Sequence, residues 1–220
     1  MRVSGSSRLT ACAGGGCSWG TGTLMIDWAG YLAKLGAAFL LWTFVIYWMH
    51  RFSHVRWRWN PLWKVHRAHH LHPYLRCYEP AGWPKVGQWF LWLGDWQSSL
   101  DVIVQMTIPL LVIAWFMPDV GLPLLAFHYI YEVFLSENQL DHNPKITGRV
   151  TRWFAWGDFH LQHHVHPKQN IGLMITLWDR LFGTANDPQP GMAWRRIEAH
   201  RDRLAERAAT NELQPSVLAQ

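Results

Sequence analysis

At 220 residues the chain has room for one domain, and half of it is hydrophobic. A formal charge of +5 would suit nucleic acid, but 16 tryptophans in so apolar a chain point to a membrane instead, because indole is apolar with one polar N–H. The three cysteines, Cys12, Cys17 and Cys77, have neither disulfide-framework nor zinc-finger spacing, which leaves a reduced, cytoplasm-facing interior as the expectation.

Residues 1–24 are rich in Gly, Ser and Thr without the basic-then-apolar layout of a signal peptide. They are expected to be a disordered leader, with Met25 an alternative start. Trp28 to Met49 is apolar except for Lys34, and at about 1.5 Å per residue a helix there crosses a hydrocarbon core of roughly 30 Å. Trp83 to Trp96 is Trp-rich and suits the membrane interface. A second apolar run, Val102 to Met117, becomes long enough to span when extended back to Trp96, with Pro109 as an expected kink. The turn Pro118-Asp119-Val120-Gly121 follows, and a third run continues to Leu135, so the two runs form a helical hairpin that crosses or dips into the bilayer.

The expected fold is therefore an all-α integral membrane protein of three to four membrane-associated helices. Residues 25–186 form its membrane domain, and 187–220 a charged cytoplasmic tail helix (Ala193 to Ala209) with a frayed end. Arg51, Arg56, Arg58, Lys64, Arg67, Arg76 and Lys85 follow the first helix, and Lys145, Arg149, Arg152 and Lys168 follow the third run, whereas the hairpin turn has no Lys or Arg. By the positive-inside rule both basic stretches face the cytoplasm.

Those stretches carry a repeated octapeptide, His-x-x-His-His-x-His-Pro, first at His66 to Pro73 and again at His160 to Pro167. Positions i, i+3 and i+4 share a helical face, so each copy aims three imidazoles one way before its proline ends the turn. Imidazole binds zinc, iron, copper and nickel, and three on one face make a poor core, since both nitrogens of each ring need partners. His50 and His54 form another i, i+4 pair where the first membrane helix emerges. Taken alone that pair reads more simply as interfacial; beside two octapeptides it reads as part of a site. His142 follows the third apolar run.

Nine histidines then make the candidate first shell: His50, His54, His66, His69, His70, His142, His160, His163 and His164, too many for one ion and suited to two. His72 and His166 fall on the other side of their helices before a proline and take structural or outer roles. His128, with Glu132 one turn on, is equally a functional or a helix-packing residue, and His200 is a surface residue of the tail.

Taken together, His50-x-x-x-His54, His66-x-x-His69-His70 and His160-x-x-His163-His164, with Asp141-His142-Asn143 and the segment Trp178 to Thr184, resemble the fatty acid hydroxylase and sterol desaturase superfamily of integral membrane di-iron enzymes. The resemblance covers residues 45–184. It implies a cap of helices over a membrane base, two iron ions on the nine histidines, and dioxygen as co-substrate. Hydroxylation of a C–H bond in a lipid or other hydrophobic molecule is the leading activity, with desaturation at the same site as the alternative. Zinc, which imidazole binds more tightly than ferrous iron, is a possible substitute in purified protein. Members often carry another histidine one turn before the position of His142, where this chain has Asn138; water held by Asn138, or His128, is expected to compensate. Asp158 and Asp179 are expected to accept imidazole N–H groups. With no flavin or nicotinamide fingerprint in the sequence, electrons are expected from a separate redox protein.

Rival readings are a non-enzymatic histidine-rich membrane protein binding haem or metal, and a zinc transporter. Haem ligands would sit inside the spans, where only His128 lies, and a transporter would need more midplane polar residues than His128 and Glu132.

Overall fold

The computed structural model describes residues 27–70, 86–90, 96–136, 139–187, 189–199, 202–203 and 206. The 1–24 leader, the three cysteines, His72, Asn138, His200, most of the Trp83 to Trp96 segment and the end of the tail lie outside the described residues. Among those described there is no strand, only one antiparallel bridge between Phe154 and Ile175. The fold is all-helical, as its sequence implies.

Helix α1, Trp28–Ser53, starts on an Asp27 cap whose side chain accepts from Gly30 N–H. It runs one turn beyond the expected end, so His50 lies in its last turn and His54 is its C-terminal cap. At about 1.5 Å per residue it is roughly 39 Å long. Helix α2, Pro61–His70, opens on a proline at its first position, where no N–H is needed, and carries His66, His69 and His70 of the first octapeptide.

The second apolar run is α3 (Trp96–Val102), a π-helical turn (Ile103–Thr107) and α4 (Ile108–Phe116) in one continuous stretch. It and α1 are the two described helices long and apolar enough to cross a membrane. The irregularity expected at Pro109 takes the form of this π-turn rather than a simple kink: Pro109 offers no N–H to the carbonyl one turn earlier, and the preceding turn widens. Trp42 of α1 donates its indole N–H to the Met106 carbonyl there, 2.9 Å away.

No four-residue turn follows. Helix α5, Pro118–Ile130, begins at once, and Met117 alone joins it to α4. Gly121 permits this, since a Cβ on it would lie 2.3 Å from the Ala114 Cα. The helix then passes into a second π-turn, Tyr131–Leu135. Trp42, Ile46, Met106, Leu110, Val120 and Leu124 fill the core between α1 and the hairpin. Lys34, the one charge in α1's apolar run, meets Asp119 at the hairpin tip across 2.6 Å.

Helix α6, Asp158–Val165, holds the second octapeptide, and α7 is Leu177–Phe182. Gly157 seats α6: its φ is +55°, and a Cβ would come within 2.2 Å of the Ile146 carbonyl oxygen. Phe182 stacks on Tyr47, and Trp178 packs edge-on to Phe44 while its N–H reaches Thr43, so α7 is pinned to α1. Residues 192–199 are helical.

Candidate metal centre

Nine imidazoles from four elements meet at one end of these helices. They divide into two groups: His50, His54, His66, His70 and His163, and then His69, His142, His160 and His164; in each group the ligand atoms lie within 4.8 Å of one another. Each group could hold a metal ion. The reading that each octapeptide points all its imidazoles one way needs refinement, because each helix serves both groups. On α2 the i, i+4 pair His66/His70 joins the first group and His69 the second; on α6 the i, i+4 pair His160/His164 joins the second and His163 the first. Helix α1 adds His50 and His54 to the first group, and the loop after the second π-turn adds His142 to the other.

Within the first group the Nε2 atoms are 3.1 Å apart for His50 and His66, 3.0 Å for His54 and His66, 2.9 Å for His54 and His163, and 3.0 Å for His66 and His70. In the second, His164 Nε2 lies 3.0 Å from His160 and 3.2 Å from His142, and His69 lies 3.4 Å from His160. Imidazole nitrogens about 2.0–2.1 Å from one ion fall about 3.0–3.4 Å from their neighbours, so the spacing is that of a coordination shell.

Tautomers make the case physically. His50 Nδ1 donates to the Ile171 carbonyl at 2.5 Å, His163 Nδ1 to the Gln169 carbonyl at 2.9 Å, and His66 Nδ1 to the Asp101 carboxylate at 2.8 Å. With the proton held on Nδ1, all three Nε2 atoms present bare lone pairs to one another, an arrangement that repels unless a cation sits among them. Burial first, and then neighbouring imidazoles, hold His69, His70, His160, His163 and His164 well below the ordinary histidine value. Burial, then His66 and Arg56, bring His54 down to about 3. These rings are neutral ligands at neutral pH.

Asp101, which accepts from His66, and Gln105, which donates to Asp101, were not singled out by the sequence reading. Their signal was present: a carboxylate and an amide one turn apart inside an otherwise apolar run. Gln105 Nε2 donates to Asp101 Oδ1, and both side chains are buried.

Asp158 and Asp179 do not accept imidazole N–H groups. Asp179 instead receives Ile171 N–H at 2.6 Å, Gly172 N–H at 2.7 Å and the Thr184 hydroxyl at 2.7 Å. Its two oxygens are committed to the loop whose carbonyls orient His50 and His163, so it acts one bond further out. Burial outweighs these donors and raises its carboxyl pKa. Asp158 Oδ2 accepts Gly191 N–H at 2.5 Å, which ties the tail to α6. His166 is exposed and accepts from Arg196 at 2.8 Å, a structural tie away from both groups.

His128 joins neither group. Its Nε2 lies 2.9 Å from the Thr107 hydroxyl and its ring packs edge-on to Trp42, which makes it a helix-packing residue of the hairpin. Asp141, next to His142, accepts from Tyr131 at 2.5 Å and Ser136 at 2.9 Å, and so fixes the His142 loop on the second π-turn. Burial pushes its carboxyl up to about 7.

Fold and site define an all-helical protein with two adjacent histidine clusters above a pair of membrane-length helices. The family model described as fatty acid hydroxylase matches residues 35–184, a stretch that contains both clusters and α7. The chain belongs to the fatty acid hydroxylase family. It is also 29% identical over 161 residues to the Delta(7)-sterol 5(6)-desaturase of Eremothecium gossypii. That match covers 71% of this chain and 39% of the relative, so the chain spans well under half of that protein's length. No solved structure matches. Family membership and the two apolar helices mark it as a membrane protein.

Proposed function

We propose that the chain is a membrane-bound non-haem di-iron oxygenase that hydroxylates a C–H bond of a lipid-like substrate. The observation that carries this is the double Nε2 convergence, five imidazoles on one side and four on the other, with three Nδ1 protons already committed elsewhere. The first group would hold one iron and the second group the other. Paired iron, when bound, supplies dioxygen with the electrons that make an unactivated C–H bond removable.

The chain's own part is positional. Ile171, Gln169 and Asp101 fix ring orientation and keep the Nε2 lone pairs available. Asp179 holds the loop that carries two of those acceptors. Desaturation at the same centre is the second reading, and the similarity to a sterol desaturase favours it. A sterol or other terpenoid belongs among the substrates to screen first.

The basic residues Arg51, Arg56, Arg58 and Lys64 around the exit of α1 support a cytoplasmic face for the clusters. A separate acidic redox protein docking there would deliver the electrons. The deciding experiment is elemental analysis of detergent-purified protein from iron-replete cells, followed by reaction with labelled dioxygen, a reductant and a lipid extract. Two irons per chain and one labelled oxygen atom in a lipid product are expected for hydroxylation. Two irons with an unlabelled, more unsaturated product would select desaturation. Haem, or no metal at all, would overturn both.

A further inference from the structure

Both π-turns border one cavity. A cavity of about 40 Å³ lies against the histidine clusters, touching His66, His69 and His160, and its floor includes Gln105 from the first π-turn and Glu132 from the second. At about 10–15 Å³ per water it has room for roughly three waters, or for the polar end of a larger molecule. A π-turn inserts one extra residue, which re-aims side chains locally, and such turns cluster at functional sites. Here one on each arm of the hairpin brings a polar side chain to the same space.

Gln105 is the informative member. It is only 2% exposed, its amide nitrogen donates to Asp101 and lies 3.1 Å from His66 Nδ1, and its buried Oε1 has no hydrogen-bond partner among the described residues. Asp101 settles the amide's orientation, since turning it over would set its oxygen against a carboxylate oxygen. An acceptor left bare in a buried site costs about 1–3 kcal/mol, so a donor is called for.

The chemistry of that donor is restricted. Asp101, Glu132 and Asp141 line the cavity and, among the described residues, no Lys or Arg does, so a carboxylate or phosphate head would be set against other carboxyls. A hydrocarbon end would leave Gln105 Oε1 bare. A neutral O–H group answers both constraints.

We propose that this cavity is a hydroxyl-binding subsite, in which Gln105 Oε1 accepts the hydrogen bond of an alcohol substrate and sets its reacting carbon beside the histidine clusters. The word substrate rests on the oxygenase reading; the binding does not. Water is the other possible O–H donor, and the test separates the two.

Tritiated tetradecan-1-ol bound to the detergent-solubilised protein from iron-replete cells is displaced by unlabelled tetradecan-1-ol, tetradecane or tetradecanoate, with each constant corrected for partition into detergent. The alcohol should bind about tenfold more tightly than the alkane, a difference expected of one buried hydrogen bond, and the carboxylate no better than the alkane. Gln105→Met, which keeps the volume and removes the acceptor, should bring the alcohol to the alkane's level. Alcohol and alkane binding alike would mean that the cavity holds only water, and would overturn the subsite; so would tightest binding of the carboxylate. The parent protein decides this even if the variant fails to fold. Metal content of the same sample separates the two readings: two irons without alcohol preference leaves the oxygenase and removes the subsite, whereas alcohol preference without metal does the reverse.

Discussion

His66 donates its Nδ1 proton to Asp101 across 2.8 Å, linking the first octapeptide to the start of the second apolar stretch. His66 is 1% exposed and Asp101 is 5% exposed, so water cannot replace either partner. The carboxylate fixes the ring's tautomer and raises the basicity of Nε2. Asp101→Ala should therefore lower the affinity of the first histidine group about 10- to 100-fold, as loss of such outer partners does. Competition with a chromophoric chelator measures it, and circular dichroism checks that helix content holds. Unchanged affinity would mean that Asp101 merely packs.

Asp179 makes a different prediction, because it touches no histidine yet holds the Gln169–Ile171 segment through Ile171 and Gly172 N–H groups. Asp179→Ala strands the two buried N–H donors of Ile171 and Gly172, at about 2 kcal/mol or more in total, while the Thr184 hydroxyl keeps Tyr47. Denaturation in detergent should show that loss, and metal affinity should fall with it because His50 and His163 lose their fixed acceptors. Lost stability with intact affinity would separate the loop from the site.

These two carboxylates also show what the sequence reveals and what it hides. Spacing brings out the six octapeptide histidines, and His50 and His54 beside them, because i, i+3 and i+4 positions on a helix share a face whatever surrounds them; His142, on a loop, is legible only from its place after the third apolar run. How they partition does not follow from spacing: the assignment of His69 to one group and His70 to the other depends on how α2 and α6 approach, a tertiary fact. The apolar runs are legible for the same local reason. The hairpin tip is not, since Gly121 packing against Ala114 replaces the turn that Pro118-Asp119-Val120-Gly121 suggests. Asp179 is legible as part of a motif while its partner is not, because backbone N–H groups compete for a carboxylate as strongly as imidazoles do. His128 is set aside by Thr107, which the first π-turn carries.

Acid should unfold the metal-free protein. An imidazole held low in the fold returns to about 6.5 on unfolding, so between the two values the unfolded chain carries more protons and stability falls as pH drops below about 6.5. His54, His69, His70, His160, His163 and His164 all act in this sense. Asp141, raised to about 7, acts oppositely, as do Asp158 and Asp179, whose carboxyls burial also raises: each favours the fold at low pH and loses that contribution as pH rises. The imidazoles outnumber the carboxyls, so the melting temperature should fall between about pH 7.5 and about pH 5.5. Metal, which competes with protons for the same nitrogens, should reduce that fall. A flat or rising profile would contradict the neutral-imidazole arrangement.

The crossed pattern of α2 and α6 gives the sharpest test of the paired site. If sequence neighbours acted together, His69→Ala and His70→Ala would damage one ion, and His163→Ala and His164→Ala the other. The geometry assigns them differently: His70 and His163 belong to one group, with ring centroids 5.1 Å apart, and His69 and His164 to the other, at 5.0 Å. His70→Ala and His163→Ala should therefore weaken the same ion, and combining them should cost little beyond the worse single variant once that ion is gone. His69→Ala with His163→Ala should lose both. Four ligands against five adds an asymmetry. Removing one of four ligands leaves three and removing one of five leaves four, so His69→Ala should release its ion at a lower chelator concentration than His163→Ala. Metal content across a chelator series reads this directly, and pairing by sequence neighbour instead would refute the assignment.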